Sequence, residues 1–443
     1  MLLLIAMSNT AFHLWAARHG ASGWHPVDGS AADRVVQFLM ITMLDLRIYP
    51  LFAFLFGYGM MQLYQRQTAA GTPERAAVAL LRRRSLWLIV FGFVHAALLL
   101  AGDIVGYYGI MSLVLGWLFL RRRTRTLLIW SGVAVGFTLL TTAPALWAIA
   151  TGDLTQFGAA DGDPTTVVYA SGEENPLAAA GTRLTTWLWL VGIAATFGLT
   201  RPEILLGFWA ARHRILEEPH RHLSLLRWTA AVGIAVGWLG GLPSALAHVG
   251  ILDVPPEAVS EEGVLSSLHA LTGSAGGLGY VALIALLVHR MRAGTRRSAP
   301  VVAVAAVGKR SLSAYLTHSA IFAPLLAAWG VGLGAKLGSA TMAAFAVGVW
   351  LVTVLGAYAL ERTGRRGPAE VLLRRLIYPR TQGGNPPHRV PATREPVRST
   401  FGLGRPSRDT PHGRREARNE RLHGGTQESA GRTGPAVRGD GSA

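Results

Sequence analysis

The sequence predicts an all-α, polytopic transmembrane bundle of about ten helices. Three observations carry this. Of the 443 residues, 51% are hydrophobic and only 15% charged, where a soluble globular protein is nearer a quarter charged. The charged residues cluster and leave apolar runs of about 18 residues or more, the length a bilayer crossing demands. Arginine gathers at every second joint between these runs, as it should if basic loops stay on the cytoplasmic side.

The apolar segments fall at 1–16, 33–64, 85–101, 104–120, 125–150, 181–210, 224–248, 267–290, 299–329 and 337–360. The basic joints are Arg75 to Arg84, Arg121 to Arg125, Arg212 to Arg227 and Arg290 to Arg297, and arginine is frequent again after Arg362. The alternate joints are neutral or acidic, with Asp153, Asp161, Asp163, Glu173 and Glu174 in one and Asp253, Glu257, Glu261 and Glu262 in another. This places both termini in the cytoplasm and the His19–His25 loop, Asp103 and the acidic loops outside. Two segments are irregular. Residues 33–64 are long for one crossing and are interrupted by Asp45, Arg47 and Pro50; residues 181–210 contain Arg201-Pro202-Glu203, where a helix kinks or breaks. The first segment starts at Met1 and lacks the basic start and small-residue cleavage site of a signal peptide. The membrane domain covers 1–379. From about Pro379 Gly, Pro, Arg, Ser and Thr dominate, a composition that cannot bury enough apolar surface to fold, so 380–443 reads as a disordered basic cytoplasmic tail.

Composition also excludes. There is no cysteine, hence no disulfide, thiol chemistry or Cys-based metal site. The net charge of +17 does not point to nucleic acid, because the arginines sit at segment ends and in the tail. The partner it implies is the lipid bilayer.

The candidate chemistry lies in polar residues at membrane depth, where ionisable groups are costly and mark function. His95 and Asp103 are eight positions apart, about 12 Å along a helix, with Gly102 between them able to turn the chain back. A histidine near neutral pKa suits a general base, and Asp103 suits its orienting partner. Asp103 also suits the N-cap of a helix starting at Ile104. Asp45 and Arg47, two residues apart, share no helical face, so each is expected to find a partner on another segment. In GKRSLSAYLTHS (308–319), Lys309 and Arg310 interrupt an apolar run, and Ser311, Tyr315 and His318 recur at i, i+4, i+7 as a polar face that either lines a cavity or bonds between helices. His13, His19 and His25 have no spacing that makes a metal site. The glycines from Gly273 to Gly279 read as helix packing. No Walker loop, nucleophile elbow or dinucleotide fingerprint is present.

These residues also carry a family resemblance. YPLFAFLFGYG (49–59), FGFVHAALLLAGDIVGYYGI (91–110), PEILLGF (202–208), GKRSLSAYLTHS (308–319) and GRRGPAEVLLRRLIYP (364–379) together resemble the YeiB family of bacterial inner-membrane proteins, which carry domain of unknown function 418. The most specific piece is the pattern of His95, Gly102, Asp103, Ile104, Tyr108 and Gly109. The family's opening basic stretch would precede Met1, and Asn9 matches a common asparagine. The C-terminal, family-like half is about 200–379. At a further remove, the family is similar to transmembrane acyltransferases that take an acyl group from cytoplasmic acyl-CoA to an acceptor on the far side. That similarity implies no firm cofactor, acyl-CoA as co-substrate, an envelope glycan, lipid or small molecule as acceptor, and His95 and Asp103 as catalytic base and partner. Asp45, Arg47, Tyr108, Lys309, Arg310, Ser311, Tyr315 and His318 become candidate cavity residues. A transporter of a small polar solute and a non-enzymatic structural or regulatory membrane component are the alternatives.

Overall fold

The computed structural model describes residues 1–159, 164–197, 201–292 and 298–378. The tail 380–443, and Asp161, Asp163 and Arg297 of the joints, lie outside the described residues. Everything described belongs to the unit Met1–Thr381, and it is helical, with no β-strand among the described residues. In chain order the helices are α1 Leu2–Ser8, α2 Ala31–Met43, α3 Ile48–Ala69, α4 Glu74–Leu98, α5 Ile104–Phe119, α6 Thr124–Thr151, α7 Thr165–Val168, α8 Pro176–Phe197, α9 Pro202–Arg212, α10 Leu223–His248, α11 Pro256–Val259, α12 Val264–Arg292, α13 Ala299–Lys309, α14 Ser311–Leu326, α15 Ser339–Arg362 and α16 Pro368–Ile377.

Helices α6, α8, α10, α12 and α15 are each long and apolar enough to cross a bilayer, and only 17–33% of each span's apolar window is buried inside the protein. The remainder is a hydrocarbon-facing surface, on which Trp117, Leu140, Trp147, Trp228 and Leu239 stand exposed. A soluble monomer does not leave apolar patches of that extent in water. The fold is that of an integral membrane protein.

The apolar segments form helices, several of them broken, including the two read as irregular from sequence. α1 has seven residues and continues as a 3-10 turn, Ala11–His13, which is too short to cross. The 33–64 segment is a pair, α2 and α3, bent by 42°; Leu46 takes φ 61°, a left-handed value that an L side chain adopts only where the surroundings compel it. The 181–210 segment divides into α8 and α9, with Pro202 at the first position of α9, where its missing N–H costs nothing. The 299–329 segment divides at Arg310 into α13 and α14. The expected 85–101 span is the C-terminal part of α4, a helix that begins at Glu74 and carries Arg82, Arg83 and Arg84 within it.

Close helix packing follows the glycines. α10 and α12 meet along Gly233 against Gly279 and Gly237 against Gly276, so the Gly273–Gly279 stretch serves as packing surface, as read from sequence. Small residues let backbones approach where lipid offers no hydrophobic drive for association. A Cβ at Gly276 would sit 3.0 Å from Arg47 Cγ and 3.2 Å from Gly237 Cα. We expect Gly276→Leu to lower stability by about 1–3 kcal/mol, read as a fall in the thermal unfolding midpoint of the purified protein. Gly136→Leu on α6, where nothing lies within 4 Å, should leave the midpoint unchanged.

Candidate functional site

α4 and α5 are joined by the short turn Leu99 to Asp103 and cross at glycine. A Cβ on Gly92 would strike Asp103 and the backbone of Gly106, and one on Gly106 would meet Trp187. This approach brings His95 and Asp103 together: Nδ1 lies 3.1 Å from Oδ1, and both side chains are buried. The same carboxylate is the N-cap of α5, accepting from the Val105 amide at 3.2 Å and the Gly106 amide at 2.5 Å. Trp187 Nε1 donates to it from α8 at 3.4 Å. The cap and the histidine partner are one group. The carboxylate is thus held by amides of the α5 N-terminus and stands beside an imidazole. The contact is close but off the hydrogen-bond line, and both ring nitrogens of His95 are buried without a hydrogen-bond partner.

Two further elements frame this pair. Arg183 on α8 donates to the Ala96 and Ala97 carbonyls at 3.2 and 2.8 Å, closing the C-terminal turn of α4 next to His95. Tyr315 on α14 places its ring 5.0 Å from that of His95 and accepts from the Ile104 amide at 3.4 Å. Beyond Tyr315 lies a cavity of about 20 Å³, lined on its polar side by Asn9, His13, Tyr315, His318 and Ser319. His318 Nδ1 donates to the Ala314 carbonyl at 2.7 Å, which leaves Nε2 a bare acceptor. Nε2, like His13 Nδ1, is buried without a partner. The space admits one water or a group of that size.

The other residues singled out from sequence go elsewhere. Asp45 and Arg47 do find separate partners. Asp45 accepts from buried His25 at 2.7 Å. Arg47 is wholly buried; it donates to the Ile41 carbonyl at 3.2 Å, to the Asp45 and Gly237 carbonyls, and to His269 Nε2 at 2.6 Å. It is a clamp on the α2–α3 break, closed in by α10 and α12. Tyr108 donates to the Tyr49 carbonyl at 3.0 Å and packs on Phe52 and Phe56, on the wall of a small pocket shared with Arg201 and buried Glu203. Lys309 and Arg310 depart from the cavity reading: they pair with Glu361 of α15 at 2.5 and 2.8 Å, and Arg310 also holds the Ala306 and Arg365 carbonyls. Ser311, at the first turn of α14, is exposed. Only Tyr315 and His318 of the proposed face reach the cavity. Among the described residues no group of three His, Asp or Glu side chains is arranged to hold a metal.

One junction ties two motifs together. Glu370 of α16 accepts from the Leu312 and Ser313 amides at 2.8 and 3.1 Å and from the Ser313 hydroxyl, while the Ala369 amide donates back to Ser313 Oγ at 3.0 Å. The N-termini of α14 and α16 cap each other. The GKRSLS and GPAE stretches, 57 residues apart at Ser313 and Glu370, form one unit.

Fold and site together define a polytopic helical membrane protein with a buried histidine–carboxylate pair. Residues 210–380 match the family described as protein of unknown function DUF418. Over 379 residues the chain is 27% identical to the uncharacterized protein YxaH of Bacillus subtilis (strain 168), spanning 80% of this chain and 84% of that protein. No solved structure matches. The stretch that matches the DUF418 family, 210–380, holds Tyr315, His318 and the Glu370 junction, while His95 and Asp103 lie before it.

Asparagine caps a helix as well as aspartate does. Asp103→Asn should therefore keep the thermal midpoint close to wild type, whereas Asp103→Ala should lower stability by about 1–2 kcal/mol. Thermal unfolding of the two variants side by side separates the capping role from the charge.

Proposed function

We propose that this protein is a membrane-embedded transferase of the bacterial plasma membrane, with both termini cytoplasmic, that moves an acyl group from acyl-CoA to a hydroxyl or amine of an envelope glycan, lipid or small molecule. The observation that supports it is the buried His95–Asp103 pair with Nε2 of His95 unengaged. In this reading Nε2 takes the proton as the acceptor oxygen or nitrogen bonds to the thioester carbonyl carbon. Asp103, held by the α5 amides, stabilises the imidazolium that results. The carbon–sulfur bond then breaks and the proton passes to the departing CoA sulfur.

General base catalysis contributes about 10²–10⁴-fold. His95→Gln should lower acyl transfer by at least the smaller factor, measured with labelled acyl-CoA and an envelope extract, while membrane insertion and the thermal midpoint hold. Full activity in that variant would remove the assignment.

One observation favours a second reading, a transporter for a small polar solute. The α2–α3 break at the level of Asp45 and Arg47 carries a second buried polar set, His25–Asp45 and Arg47–His269, and broken helices with buried ionisable groups are how transporters build midplane sites. Solute uptake by sealed vesicles in the absence of acyl-CoA distinguishes this from the transferase.

A further inference from the structure

The most unusual surface of the protein is at α16. It is ten residues long and amphipathic, PAEVLLRRLI. Its inward residues, Leu373 and Ile377, are buried against Leu88 and its neighbours on α4, and Glu370 anchors it to α14. Its outward residues combine two kinds that water does not favour together. Arg366, Arg374 and Arg375 are exposed, and among the described residues none has a carboxylate partner. Leu372 and Tyr378, beside them, are 49% and 45% exposed. Arg83 of α4 donates to the Ile377 carbonyl at 3.3 Å, which joins the exposed arginines of α4, Arg82 and Arg83, to the same patch.

Like charges crowded without counter-charges repel one another, so an anion at the patch would be favoured. The apolar residues say what kind of anion. A soluble phosphate ester needs the arginines but gains nothing from an exposed leucine and tyrosine. A phospholipid surface supplies both, because a basic amphipathic helix lies in the interface with its apolar side chains at the acyl boundary and its cations among the headgroups, and aromatic side chains favour that depth. The position agrees: α16 follows the C-terminal end of the spanning helix α15 and packs beside the arginine-bearing part of α4, a basic flank of the kind that faces the cytoplasm.

We propose that α16, with Arg82 and Arg83 of α4, is a binding site for the phosphate headgroups of anionic phospholipid in the cytoplasmic leaflet. Arg366, Arg374 and Arg375 hold the phosphates, and Leu372 and Tyr378 seat the helix at the hydrocarbon edge. The site is independent of the proposed transferase chemistry and requires none of its residues.

The test is lipid retention by the full chain. Protein reconstituted in mixed phosphatidylglycerol and phosphatidylcholine is extracted into detergent, and the bound lipid is counted by native mass spectrometry. The wild type should retain phosphatidylglycerol in preference to phosphatidylcholine. An arginine near an anionic surface contributes about 1 kcal/mol, a factor of about five. The variant R366Q/R374Q/R375Q should therefore lose that preference by roughly fivefold per arginine removed, and added salt should reduce it in the wild type. Leu372→Gln, with every charge kept, should weaken retention of both lipids. Arg18→Gln in the Arg18–Asp28 loop should change nothing. Because the 380–443 segment is present in every variant, the differences report on α16. Equal phosphatidylglycerol retention by wild type and the triple variant overturns the proposal. So does a patch that discriminates only in a thermal-shift arm with free CoA, which would make it a site for a soluble phosphate ester.

Discussion

A backbone carbonyl released inside a membrane must find a donor, because hydrocarbon offers none and an unpaired group there costs several kcal/mol. Much of this architecture depends on how arginine meets that demand. Arg47 takes the carbonyls of Ile41, Asp45 and Gly237 at the α2–α3 break. Arg183 closes the end of α4. Arg212 takes the Leu120 and Arg122 carbonyls just past α5, and Arg310 those of Ala306 and Arg365. The planar guanidinium carries five donors and keeps its charge when buried, so one side chain can end a helix and join it to a neighbour. The carbonyl end of a helix also favours a cation electrostatically. At each of these helix ends an arginine takes up the carbonyls that the ended helix leaves.

The same logic explains how far the sequence could be read. The turn at Gly102, the capping preference of aspartate and the eight-residue spacing were enough to bring His95 and Asp103 together. The two-residue offset of Asp45 and Arg47 correctly sent them to different partners, and the glycine run of α12 correctly read as a packing face. Helical periodicity put Ser311, Tyr315 and His318 on one face, and the structure buries Tyr315 and His318 while Ser311, in the first turn of α14, is exposed; Lys309 and Arg310, which interrupt the apolar run, pair with Glu361. His13, Arg183, Trp187 and His269 join their sites from other segments, and nothing local to them says which helix end or which carboxylate they will meet. Where within a segment a helix breaks was less legible for a related reason. Hydropathy sums over a window and does not register a single left-handed residue such as Leu46 or a carbonyl clamp such as Arg47.

Two buried polar centres result, and they are built differently. At His95 the carboxylate is fixed by amides of its own helix, and the imidazole is left without a hydrogen bond. At the α2–α3 break His25 bonds to Asp45, and Arg47 to His269 and three carbonyls, with only Arg47 Nε left without a partner. A satisfied network gives rigidity, whereas an unsatisfied group on a rigid frame is one that a reacting molecule can complete. That contrast is why the proposed transfer is assigned to His95 rather than to Arg47.

The shared cap between α14 and α16 has a consequence in time. Tyr315 and His318 sit on α14, whose first turn depends on a carboxylate 57 residues further along the chain. While the chain is being made, the helix bearing these two residues has an open N-terminus until Glu370 has emerged and folded back. The cavity at Tyr315 and His318, whose other walls come from the first hundred residues of the chain, is therefore among the last parts of the membrane domain to be completed. A nascent protein stalled before Glu370 would be inserted and largely helical while its pocket was still unfinished.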